Sequence, residues 1–88
     1  SNELKDLLES LTAAVGKMTE QLPKETAQQA ARDLDTLVAE ATSPSPRTQW
    51  WQLSLEGIKK AAQSIGEIGK PVLEIATLLV PLLMGKSA

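Results

Sequence analysis

Cysteine and histidine are both missing from this chain, and their absence removes whole classes of chemistry. Without thiols there are no disulfides and no thiolate metal sites. Without imidazole there is neither a conventional zinc site nor histidine acid–base catalysis. Phenylalanine and tyrosine are missing too, which leaves two tryptophans as the only aromatic residues. A core must then be assembled from Leu, Ile, Val and Ala with one or both tryptophans, an aliphatic composition of helical character.

A dominant charge is also lacking. Nine basic and eleven acidic residues give a formal charge of −2. They form no clustered Lys/Arg stripe of the kind that neutralises phosphates, so nucleic acid is not an expected partner. The opening SNELKDLLES is acidic and amphipathic and has no continuous apolar centre, so it does not read as an export signal. A cytoplasmic location is expected. The run from Pro71 to Met84 is apolar but carries Glu74 and Pro81 and is shorter than the roughly 20 residues that cross a bilayer. A transmembrane span is therefore not expected, while contact with a membrane surface stays open.

What is present suits one small core: 88 residues, 42% of them hydrophobic. Leu4, Leu7, Leu8, Leu11, Ala14, Val15, Met18 and Leu22 recur at the three-and-four spacing of a helix face and predict a first helix over about 3–21. Ser1 or Asn2 is its expected cap, and Pro23 its stop. A second helix over 23–42, with Pro23 at its first position, places Ala27, Ala30, Ala31, Leu34, Leu37, Val38 and Ala41 on one face. The early alanines permit close approach to a neighbouring helix. The short connection makes the two helices an antiparallel hairpin.

Thr42-Ser43-Pro44-Ser45-Pro46 cannot continue a helix. It reads as a linker within one domain, since neither half alone has much core. With Thr48 as cap, a third helix over 48–68 carries Trp51, Leu55, Ile58, Ala62 and Ile65. Gly57 inside it suggests either close packing against another backbone or a tolerated surface glycine. Gly66-Glu67-Ile68-Gly69 reads as a bend with a glycine C-cap at Gly69. A fourth helix over 71–84 is apolar around most of its circumference and needs cover on most sides. The expected fold class is an all-α antiparallel four-helix bundle, two hairpins joined by a proline-rich linker.

No catalytic residue, cofactor or metal ligand is assigned. Most carboxylates fall on solvated helix faces. Glu74 stands apart because burial would demand a partner such as Lys59, Lys60 or Lys70, and it is read as marking the exposed stripe of the fourth helix. The glycines do not form a phosphate loop, for no strand precedes them and no lysine-serine pair follows. Adjacent residues of a helix point about 100° apart, so Trp50 and Trp51 cannot share a core. Trp51, in phase with Leu55 and Ile58, is the core candidate. Trp50 either covers the linker or sits at an interface. Leu78 and Leu82, flanking the Glu74-Thr77 stripe, are the remaining interaction candidates.

Leu22-Pro23, the leucine-bearing second helix, the Pro-x-Pro linker and WWQLSLEGIKKAAQSIGEIGKPVLEI together resemble small helical modules appended to multidomain bacterial, often cyanobacterial, conflict and signalling proteins. In role these are similar to death-like or effector-associated adaptor domains. Animal death-fold domains have more helices than are read here, so it is the role that the resemblance carries. It implies recruitment or self-association and supplies no catalytic residue. The chain is accordingly expected to be a non-enzymatic association module, part of a longer protein, whose partner is another protein or a second copy of itself. The alternative is a membrane-active helical bundle that uses the apolar C-terminal helix.

Overall fold

The computed structural model describes residues 2–87 and shows a four-helix bundle. Its helices are α1 (Asn2–Thr19), α2 (Lys24–Thr42), α3 (Thr48–Gln63) and α4 (Lys70–Ser87), with a 3₁₀ turn (Gly66–Gly69) between α3 and α4. Each helix packs on its two neighbours around the ring: α1 on α2 and α4, α3 on α2 and α4. The expected cap at Ser1 or Asn2 lies outside the described residues and side chains.

The periodic stripes meet in one core. Leu4, Leu8, Leu11, Val15 and Met18 of α1 and Ala30, Leu37 and Ala41 of α2 supply one half. Trp51, Leu55, Ile58 and Ala62 of α3 with Val72, Ala76, Leu79 and Leu83 of α4 supply the other. Trp51 and Ile58 are fully buried and Leu55 nearly so, as their phase predicts. Ala31, expected in the stripe of α2, is exposed, because the buried row of that helix runs through Ala30, Leu37 and Ala41. Ala30, Gly57 and Ala61 line a shared groove, so small residues bring α2 and α3 together.

Several boundaries differ from those the sequence predicts. α1 ends at Thr19, where turn bonds from Gln21 N–H to the Met18 carbonyl and from Leu22 N–H to that of Thr19 replace helical ones. Pro23 disfavours helical geometry at Leu22. Pro23 itself occupies the cap of α2, not its first helical position, with ψ of 148°, and its carbonyl accepts from Ala27 N–H at 2.8 Å. Arg47, not Thr48, caps α3, its carbonyl accepting from the N–H groups of Trp50 and Trp51.

α3 stops at Gln63, before the glycines. Ser64 Oγ donates to the Ala61 carbonyl at 2.6 Å, and Gly66 then takes a φ of 62°, a left-handed conformation that side-chain-bearing residues avoid. Gly66, not Gly69, is thus the glycine that reverses the chain. Gly69 is buried against α3, its Cα so close to the backbone of Ala62 that a Cβ would lie 2.0 Å from the carbonyl oxygen. Gly57 faces the Asp33 carboxylate of α2 and not a backbone.

Candidate functional site

The linker between α2 and α3 is held by a carboxylate that sequence reasoning placed among the solvated ones. Glu40 is buried. Its Oε1 accepts from the backbone N–H of Arg47 at 2.9 Å, and both carboxylate oxygens accept from Arg47 Nε at 3.2 and 3.1 Å. Arg47 Nη2 completes the pair at Oε2. Glu74, the residue singled out for burial or exposure, is exposed. Glu40 stands two residues before the end of α2, and its partner Arg47 lies across the prolines, so nothing in its spacing marked it.

The side-chain hydrogen bonds from Arg47, helped by its backbone N–H, hold the Glu40 carboxyl below its ordinary value of 4.5, against the opposing effect of burial. A carboxylate whose folded pKa is depressed stabilises the fold above the unfolded value and loses that contribution as pH falls through the folded one. We expect Glu40→Gln to lower the thermal midpoint at neutral pH. We also expect it to flatten the fall in stability below about pH 4.5, as melts followed by circular dichroism would show. A pH dependence identical to that of the parent chain would remove Glu40 from this role.

Arg47 also lies over the Trp50 ring, 5.4 Å from its centroid, a cation–π geometry. Trp50 therefore packs on the linker through Arg47, yet remains 49% exposed. Leu53, three residues on and on the same side of α3, is 66% exposed. It falls out of phase with Trp51, Leu55 and Ile58, and that mismatch was its sequence signal.

A second surface surrounds α4. Val72, Ala76, Leu79 and Leu83 point into the core, while Leu73, Ile75, Val80 and Leu82 are only half-buried. Leu78 is 57% exposed and Met84 47%. Val80 lines a groove with Trp51 and Leu55, and Gln52 Nε2 donates to Met84 Sδ at 3.8 Å, so this flank of α4 adjoins α3. Ile75, Leu78 and Leu82 lie on the opposite flank, beside α1. The half-buried Leu7 and Ala14 of α1 complete that seam, since the other flank of α1 faces α2.

The structure thus brings Leu78 and Leu82 together on the α1–α4 seam and places Trp50 elsewhere, on the α2 side of α3. Leu82 contributes to its own core as well as to the seam. Among the described residues no group of three acidic side chains is placed to hold a metal ion.

The apolar run is longer than the sequence limits suggested. Helical structure continues through the 3₁₀ turn and past Met84. The segment Gly66–Lys86 is 21 residues long and its most apolar window has mean hydropathy 1.6, enough by length and composition to cross a membrane. Only 28% of its most apolar window is buried. In comparisons with family models, curated proteins and solved structures, no match to this chain was found.

Proposed function

We propose that the chain is a non-catalytic protein–protein interaction module that associates with a second copy of itself through the α1–α4 seam. Its role would be that of an adaptor in a bacterial signalling or conflict protein, as its resemblance to effector-associated modules implies. The observation that supports this reading is the poor covering of the most apolar helix: α4 commits one row of side chains to the core and leaves Leu78 exposed beside half-buried Ile75 and Leu82. Covering apolar surface is worth about 25 cal/mol per Å², and a continuous apolar seam with polar surroundings is the ordinary form of an association site.

The unmodified chain should exceed monomer size by light scattering at high micromolar concentration. Leu78→Glu should return it to the monomer with helical content kept, since that side chain contributes little to its own core. Leu82→Glu should also dissociate it but lower stability, because Leu82 packs on the core. A chain that is monomeric without any substitution would end the self-association reading.

One observation favours a second reading, a membrane-active bundle. The Gly66–Lys86 segment has the length and hydropathy of a spanning helix and is mostly uncovered. Co-sedimentation with liposomes and dye leakage from them would be its signature, and a self-associating module that leaves liposomes intact would not show it.

A further inference from the structure

At the end of the bundle where α1 begins and α4 finishes, an open cleft of about 570 Å³ lies between α1, α2 and α4. It is apart from the α1–α4 seam, on the other flank of α1. Leu4, Leu8, Val38 and Ala41 give it an apolar lining, and its size is that of a small-molecule site. From Leu4 to Thr12 the α1 wall runs eight residues, about 12 Å at the helical rise.

Two ammonium groups stand at one end. Lys86 Nζ donates to the Ala41 carbonyl at 2.6 Å, a cation held over the C-terminal carbonyls of α2, and a lysine has three N–H donors. Lys5, one turn into α1, has no ion pair among the described residues. Glu9 lies a further turn along the wall and disfavours an anion there. The hydroxyls of Thr12 and Thr42 are committed to the carbonyls of Leu8 and Val38. The polar character of the cleft is therefore positive at the Lys5 and Lys86 end and otherwise neutral or acidic.

We propose that this cleft binds a single-chain anionic amphiphile, an alkyl carboxylate, with its head between Lys5 and Lys86 and its tail along Leu4, Leu8 and Val38. A peptide ligand would leave its carbonyls without donors against these apolar walls, since the Thr12 and Thr42 hydroxyls give their only protons to Leu8 and Val38, whereas an alkyl chain needs no polar partner. The charge asymmetry sets the direction: head at the open end of the bundle, tail past Glu9 towards Thr12.

The test is isothermal titration of the full chain with dodecanoate below its micellar concentration, beside dodecanol and dodecyltrimethylammonium as neutral and cationic heads. Saturable one-to-one binding of dodecanoate is expected, at least tenfold tighter than of either control. Decanoate should bind roughly tenfold more weakly for its two lost methylenes. The Lys5→Gln, Lys86→Gln double variant should lose about tenfold in affinity. Thr12→Phe, which fills the cleft from an exposed position, should abolish binding. Should the double variant fail to fold, Lys5→Gln alone, at an exposed residue, with methyl NMR shifts at Leu4 and Val38, gives the same decision. Absence of saturable binding, indifference to the head group, or binding unaltered in both the lysine and the Thr12 variants would overturn the assignment.

Discussion

Trp51→Ala should remove a large share of the protein's stability, while Trp50→Ala, one residue away, should leave nearly all of it. Trp51 has no exposed surface, is the largest fully buried side chain, and is shared between the core and the α3–α4 groove. Truncating a buried tryptophan to alanine costs about 3–5 kcal/mol in lost transfer energy and cavity. A domain of this length has of the order of 4–13 kcal/mol in total at about 0.05–0.15 kcal/mol per residue. Trp50 is half exposed and stacks on Arg47. Losing an exposed cation–π contact removes about 0.5–1 kcal/mol. Urea denaturation followed by circular dichroism will rank the two. If the midpoint falls further for Trp50→Ala, the rotation of α3 about its axis is other than described.

Gly69→Ala should have the second largest effect, from the addition of a single methyl group. Its Cβ would sit 2.0, 2.6 and 2.8 Å from the carbonyl oxygen, carbonyl carbon and Cα of Ala62. These are backbone atoms inside a hydrogen-bonded helix, and no rotamer change relieves the overlap. The 3₁₀ turn would have to lift from α3 and carry the start of α4 with it, exposing Val72. Overpacking of this kind costs about 1–3 kcal/mol and at rigid contacts more, so about 3 kcal/mol is expected. Gly57→Ala makes the internal control. There the added methyl group meets only the end of the Asp33 side chain, which can turn aside, and alanine regains up to about 1 kcal/mol of helix propensity. Equal urea midpoints for the two alanine variants would show that the α3–α4 junction tolerates separation.

These two substitutions differ in how far they could be read in advance. Trp51 was assigned to the core from its phase with Leu55 and Ile58 alone, because helical periodicity fixes which residues share a face. Gly69 was read as a helix cap, and its actual role, contact with Ala62, depends on how steeply the chain turns after Gly66. Sequence marks a glycine but not what lies opposite it. The interaction candidates divide in the same way. Leu78 and Leu82 were read as flanking the Glu74-Thr77 stripe, and being four residues apart they share one flank of α4. That Leu82 is half committed to the core while Leu78 is not follows only from the position of α1.

The amphipathic spacing in α1 to α3, the prolines at 23, 44 and 46 and the glycines at 66 and 69 determined by themselves that the chain forms four helices, and which stripe of α1 and α3 becomes core. Local backbone preferences and the 3.6-residue period require no knowledge of neighbours. The exact helix ends were set by local turn and cap bonds at Thr19, Arg47 and Ser64 that the periodicity does not show; the burial of single groups was decided by tertiary contacts. Glu40 is the example: its carboxylate is one of eleven acidic groups, and only the return of the linker brings Arg47 within hydrogen-bonding distance. The cleft at Lys5 and Lys86 joins residues from opposite ends of the chain, whose meeting is set by the antiparallel packing of α1 and α4. Contacts between distant segments depend on the relative placement of whole helices, and periodicity carries the direction in which a face points but not what it will meet.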